Sequence, residues 1–325
     1  MLREDVDSTT RRTLTRTAQL LGSLRLDGPL LAGLAAMRDV RGLEVPFTGA
    51  LHRSDEKWLF ARLRRDWDHV VTLIPGTMGT LQKDKAFGLA SADESGRQAA
   101  LAMAREARAA VARLNEAAGR AAVIAVEVQS APSRGPAGGT GTGDAFARSL
   151  AELAAWDWFG ARIVVEHCDE HLPGHPQHKG FLSLSDELAA IARANGAARR
   201  PLGVNVNWGR SVLETHDAGR AVEHVEAAAR AGALSGIMFS GASGADTPYG
   251  AWQDTHMPHA PAAGLRHGAA GSLMTEAEIR RTLAAAKGVA LDFLGAKIAI
   301  RPPEAGVEAR LGMVGDLLAI LARAG

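Results

Sequence analysis

Cysteine is nearly missing from this chain: Cys168 is the only one in 325 residues. A single thiol excludes an intrachain disulfide framework and a zinc site built from several cysteines, and it suits a reducing compartment. A dominant charge is missing too, because 37 Lys and Arg against 36 Asp and Glu leave a formal net charge of +1. No global field therefore draws in nucleic acid or an anionic membrane, and the expected partner is a small molecule. No apolar run is long enough for a transmembrane helix, and Met1-Leu2-Arg3-Glu4-Asp5 has no signal-peptide core. The expectation is a soluble cytoplasmic protein.

A further absence concerns the fold. No Gly-x-Gly-x-x-Gly turn follows an early strand, which argues against a dinucleotide-binding sheet. Seven strand-like runs are present: 40–47, 69–75, 121–130, 161–168, 202–208, 234–240 and 296–302. Helical patterns separate most of them, opened by caps at Ser91-Ala92-Asp93-Glu94, Ser185-Asp186-Glu187 and Thr275-Glu276. Strand-helix alternation means parallel pairing with right-handed crossovers. One α/β domain over residues 1–325 follows, a TIM (β/α)8 barrel whose first strand is degenerate or missing; an open seven-stranded sheet is the alternative. Residues 1–38 read as a helical segment in which no apolar strand is visible, with Ser8-Thr9-Thr10 able to cap a helix.

The chain is organised around Arg162-Ile163-Val164-Val165-Glu166-His167-Cys168-Asp169, a β-branched run that ends in proton and metal donors. In a parallel barrel the C-terminal strand ends carry the chemistry. Side chains alternate along a strand, so if Glu166 points inward, Val164 does too, and Val165 and His167 face the helices. The same parity sends Glu44, Thr72, Glu127, Gln129, Asn205, Asn207, Ser240, Lys297 and Arg301 into one cavity. Burying so many polar groups is costly unless a ligand, a metal or partner charges satisfy them. The set suits a polyhydroxylated or anionic small molecule; an internal ion cluster is the structural alternative.

Loops add to it. Trp208 and Arg210 follow one strand, where the Trp could stack on a sugar face and the Arg could clamp an anion. Residues 241–271 form a long lid-like loop carrying Trp252, Asp254 and His256. The Gly-rich stretch 133–144 lacks a P-loop ending and reads as a surface loop, and His171, His175 and His178 match no zinc spacing.

Four motifs, Val165-Glu166-His167-Cys168-Asp169, Asn205-Val206-Asn207-Trp208-Gly209-Arg210-Ser211, Met238-Phe239-Ser240-Gly241 and Trp252-Gln253-Asp254-Thr255-His256-Met257-Pro258, together resemble a family of unknown function. That family is placed among the xylose-isomerase-like TIM barrels of sugar isomerases and epimerases. The resemblance implies a barrel and a sugar-like substrate. It also implies one divalent ion on Glu, Asp, His and Glu from four late strands. Only Glu166 carries over; Asn205 or Asn207, Ser240, and Lys297 or Arg301 stand at the other three places. The cofactor expectation is therefore none, or one manganese, zinc or cobalt ion held by Glu166, Asp254 and His256. The functional expectation is a sugar or sugar-acid isomerase, epimerase or lyase. Glu166 or Glu127 would be the base, Lys297 or Arg301 the oxyanion partner, and His256 a second acid. A glycoside hydrolase using Glu127 and Glu166, or a non-catalytic carbohydrate-binding barrel, is the alternative. A homo-oligomer is compatible with this reading.

Overall fold

Eight parallel strands close into a barrel in sequential order in this computed structural model, which describes residues 15–21 (backbone), 28–135, 138–174, 176–196 and 198–324. The strands are β1 (Thr15–Leu21), β2 (Gly42–Pro46), β3 (His69–Thr72), β4 (Val123–Val128), β5 (Arg162–His167), β6 (Gly203–Asn207), β7 (Leu234–Phe239) and β8 (Phe293–Ala299). Between and after them run α1 (Gly28–Ala36), α2 (Glu56–Phe60), α3 (Ile74–Leu81), α4 (Glu94–Ala118), α5 (Gly143–Ala155), α6 (Leu184–Asn195), α7 (Trp208–Thr215), α8 (Gly219–Arg230), α9 (Glu276–Ala285) and α10 (Val307–Ala324). No helix among the described residues is long and apolar enough to cross a membrane.

The helix starts follow the local chemistry. Asp93, Ser183 and Thr275 each accept a backbone N–H from the first turn of α4, α6 and α9. Gly119 ends α4 in the left-handed conformation that glycine adopts without steric cost.

The first strand is where the sequence misleads. Residues 15–21 were expected to be helical or featureless, yet β1 pairs with β8 from Thr15↔Phe293 to Leu21↔Ala299 and with β2 at Thr17↔Gly42 and Ala18↔Leu43. Of the two alternatives, degenerate or missing, the degenerate strand holds. Threonine, Arg and Gln interrupt its apolar residues, so it lacks the run that marks the others. The expected cap at residues 8–10 lies outside the described residues. The last strand begins three residues earlier than its apolar run suggested, at Phe293.

Alternation sorts the barrel as expected. Val70, Ala125, Val164, Met238 and Phe293 form a small interior cluster, while Val71, Val126 and Val165 join the larger layer packed against the helices. Above that apolar plug, toward the C-terminal strand ends, the interior turns polar.

Candidate functional site

Of the polar side chains assigned to the interior, Glu44, Glu127, Glu166, Asn205, Asn207 and Lys297 on β2, β4, β5, β6 and β8 are buried there, each 0–2% exposed. Lys297 Nζ lies 2.6 Å from Glu44 Oε1 and 3.2 Å from Glu166 Oε1. Arg210, from the first turn of α7, places Nη1 2.6 Å from the same Glu166 oxygen. Asn207 and Gln129 also donate to Glu166, each at 3.2 Å. Asn207 has a second duty, because its Oδ1 caps α7 through the Arg210 amide. One residue thus ends β6, starts α7 and aims Arg210 inward.

These contacts separate three carboxyl groups. Burial pushes Glu166 up, but the charges of Arg210 and Lys297 and their hydrogen bonds outweigh it and hold the group well below the usual carboxylate range. Glu127 meets the opposite balance: burial and the neighbouring Glu44 and Glu166 charges raise it well above that range, and among the described residues its hydrogen-bond partner is Asn205 Nδ2 at 2.7 Å. Glu44 is also raised by burial, with Lys297 working against the rise. Lys297 is itself raised, since Glu166 and Glu44 outweigh its desolvation. Burial and the neighbouring carboxylates thus favour the protonated form of Glu127, while the fixed cations favour the ionised form of Glu166.

The lid completes the charge balance. Asp254 is clamped by Lys179 and lies 3.4 Å from Arg210 Nε. His256 Nδ1 meets Ser240 Oγ at 2.7 Å and lies 3.6 Å from Asp254 Oδ1. Burial, together with Lys297, Arg210 and Lys179, lowers His256 to about 3 against the pull of Asp254, so its imidazole is neutral. Glu44, Glu166 and Asp254 face Lys297, Arg210 and Lys179, three negative charges against three positive, provided Glu127 keeps its proton. Trp252 and His256 flank Asp254 in left-handed backbone (φ 50° and 54°), which non-glycine residues adopt only when the surroundings hold them there. The lid backbone is tied down by Gly241–Met257 hydrogen bonds and by Ala299 N donating to His256 O.

Two expected site residues lie elsewhere. Arg301 falls beyond β8 and is exposed, with its amide on the Tyr249 hydroxyl; the strand ends at Ala299 and the chain has left the barrel. Arg301→Ala is accordingly expected to change stability by less than about 0.5 kcal/mol and to leave ligand-induced melting shifts unaltered. Trp208 points outward, fully buried, and donates from Nε1 to Thr282 on α9 at 3.1 Å, so it packs a helix and cannot stack on a ligand. Trp252 lies on the lid with its ring stacked on His216 at 4.0 Å. His178 bonds the Trp252 carbonyl and His171 pairs with Gln177, so the loop histidines fasten loops; His175 lies outside the described residues.

Sequence reasoning missed Lys179 and the groups around His167. Glu187 and Glu214 approach the His167 ring from α6 and α7, and His224 from α8 packs edge-on against it. A signal for Glu187 existed: it occupies the buried stripe Leu184, Glu187, Ala190, Ile191, Ala194 of an amphipathic helix, where a charge is out of place.

The model of a domain of unknown function, DUF4862, matches residues 28–313. This chain belongs to the DUF4862 family. An uncharacterized protein of Salmonella typhimurium (strain LT2) is 36% identical over 286 residues, 88% of the DUF4862 chain and 87% of that protein. Among solved structures, the chain is similar to the IolI protein with a bound zinc atom (TM-score 0.58, 11% identity, covering 95% of this chain and 99% of that one). It is also similar to D-psicose 3-epimerase in the presence of D-fructose (0.56, 12%, 95% and 97%). A third is a xylose isomerase domain protein from Alicyclobacillus acidocaldarius (0.54, 15%, 96% and 99%). The fold is a xylose isomerase-like TIM barrel.

That fold raises the question of a metal inside the barrel. Oxygens of Glu44, Glu127 and Glu166 lie within 4.8 Å of one another, close enough in geometry to hold an ion. The charges do not fit. Lys297 already bridges Glu44 to Glu166, and Arg210 bridges Glu166 to Asp254. A divalent cation on either the Glu44–Glu127–Glu166 set or the Glu166–Asp254–His256 set would share its ligands with fixed cations that repel it.

Proposed function

We propose that this DUF4862 protein is a sugar or sugar-acid isomerase or epimerase that removes a proton from a carbon next to a carbonyl and returns it to that carbon or its neighbour inside the barrel mouth. The observation that carries the reading is a set of buried atoms with no partner among the described residues: Glu44 Oε2, Thr72 Oγ1, Glu127 Oε2, Gln129 Oε1 and Asn205 Oδ1. Leaving such groups unmet costs about 1–3 kcal/mol each. A polyhydroxylated ligand offers the matching donors and acceptors. The D-psicose 3-epimerase likeness supports the same substrate class at the level of fold.

The roles follow from the charges. Glu44, raised by burial, takes the C–H proton at Oε2 and returns it to carbon; Glu127, protonated, gives its proton to the carbonyl oxygen and takes one back from a hydroxyl as the enediol collapses. Lys297 has three N–H donors and uses two on Glu44 and Glu166, leaving the third for the enediolate oxygen. Glu166, holding four donors, anchors the two cations and is a poor base, which favours proton transfer over the Glu127–Glu166 hydrolase reading. Neutral His256 closes the mouth through Ser240.

The test is incubation with a panel of aldoses, ketoses and uronic acids in deuterium oxide, read by proton NMR. Enzyme-dependent deuterium at the carbon next to a carbonyl is the expected result. Sugars that raise the melting temperature yet never exchange would instead describe a carbohydrate-binding barrel.

A further inference from the structure

We infer that His167, Glu214 and His224 form a zinc site on the outer side of the barrel wall, separate from the interior carboxylates. The three side chains come from the end of β5, from α7 and from α8, and all three are buried. Their ligand atoms lie within 4.8 Å of one another. His167 Nε2 is 3.3 Å from Glu214 Oε2, and His224 Nε2 is 3.4 Å from Glu214 Oε1. Two ligand atoms bound tetrahedrally to zinc at 2.0–2.1 Å stand about 3.3–3.4 Å apart, and each separation is of that size, although the two end on different oxygens of Glu214.

The surrounding hydrogen bonds point the same way. Each imidazole has its other nitrogen engaged: His167 Nδ1 lies 2.7 Å from Glu187 Oε2, and His224 Nδ1 lies 2.9 Å from Ser211 Oγ. With no metal bound, His167 Nε2 hydrogen-bonds Glu214 Oε2; with both Nδ1 atoms as donors, zinc would replace that Nε2 proton, in the carboxylate–histidine arrangement that orients zinc ligands. His224 is 3% exposed, and among the described residues its Nε2 has no hydrogen-bond partner. A buried ring nitrogen left so, 3.4 Å from a carboxylate oxygen, is the ligand atom a cation would engage.

The contrast with the interior lies in where the fixed cations sit. Inside the barrel Lys297 stands between the carboxylates. Here Arg220 reaches Glu214 from the partly exposed rim, at 2.7 Å from Oε1, and shares itself with Glu223 and Glu170. Its Nε donates to the same Oε1 that lies 3.4 Å from His224 Nε2, so Glu214 Oε2, beside His167, is the oxygen free of that cation. Two neutral histidines and the charges of Glu187 and Glu214 balance a divalent ion, and nitrogen-rich ligation selects zinc over magnesium or calcium. An ion held there ties β5 to α7 and α8, with α6 fixed through Glu187.

Zinc alone is the probe. Protein purified without chelator or metal-affinity resin is dialysed against micromolar zinc and its metal counted by elemental mass spectrometry, for the wild type, His224→Gln and Glu44→Gln. The expected result is one zinc per chain in the wild type and Glu44→Gln, at least tenfold less in His224→Gln, and a lower melting temperature after chelation. Wild-type protein that takes up no zinc overturns the proposal and leaves His167 as an imidazolium between two carboxylates. Zinc that survives His224→Gln but is lost in Glu44→Gln overturns it as well, by placing the ion inside the barrel. Should His224→Gln fail to fold, cobalt(II) added to the wild type gives an intense tetrahedral visible band if the site exists and none if it does not. Deuterium exchange with sugars depends on the opposite face of β5, so the two proposals fail separately.

Discussion

Lys297→Met is expected to cost about 3–5 kcal/mol in urea unfolding, the largest stability effect of any single substitution in the barrel interior. The ammonium is 1% exposed and, among the described residues, is the cation that touches Glu44. Its removal leaves Glu44 buried without a counter-charge and leaves Glu166 to Arg210 alone. The penalty comes from stranding the carboxylates more than from losing attraction, so removing one of them should return part of it. Lys297→Met combined with Glu44→Gln is expected to be less destabilised than the sum of the two changes by about 0.5–3 kcal/mol. The pH dependence has a definite sign. The folded pKa of Lys297 is raised above its unfolded value, so its contribution is complete below the unfolded pKa near 10.4 and fades only as pH climbs through the higher folded value. A gap between wild type and variant that already closes near pH 7 would show that Lys297 is not paired as described.

Glu127→Gln is expected to lower turnover by about 10²–10⁴-fold while shifting stability by less than about 1 kcal/mol. Both halves follow from one property. A neutral carboxyl replaced by an amide of the same shape keeps the bond to Asn205 and the charge balance, but has no proton to deliver. Glu166→Gln makes the control, because it deletes the charge that Arg210 and Lys297 share and should unfold at much lower denaturant. Because the folded pKa of Glu127 is raised, the folded state binds its proton more tightly than the unfolded one does. Stability therefore falls as pH rises from the unfolded value toward the folded one, and Glu127→Gln removes that slope. Turnover that needs the acid declines over the same alkaline limb.

Much of this arrangement could be read from the chain before any coordinates. Strand alternation placed Glu44, Glu127, Glu166, Asn205, Asn207 and Lys297 on one side, because parity within a buried strand is a local property. What failed were statements that depend on where a strand stops or on which helix meets which strand. Arg301 kept the parity of Lys297, but β8 ends before it. Trp208 looked like a ligand platform until the first turn of α7 rotated it onto α9. The first strand escaped because its pairing with β8, not an apolar run of its own, defines it. The partners of His167 were invisible for the same reason, since Glu187 and Glu214 are 20 and 47 residues away.

The central claim is that the barrel interior balances its charges only with a proton on Glu127. Infrared difference spectroscopy of the folded protein in neutral deuterium oxide, wild type minus Glu127→Gln, tests it directly. The account predicts a protonated-carboxyl carbonyl band in the wild type that is absent from the variant. A difference spectrum showing an ionised carboxylate lost instead would mean that Glu127 carries a charge, and the assignment of acid, base and anchor among Glu127, Glu44 and Glu166 would be wrong.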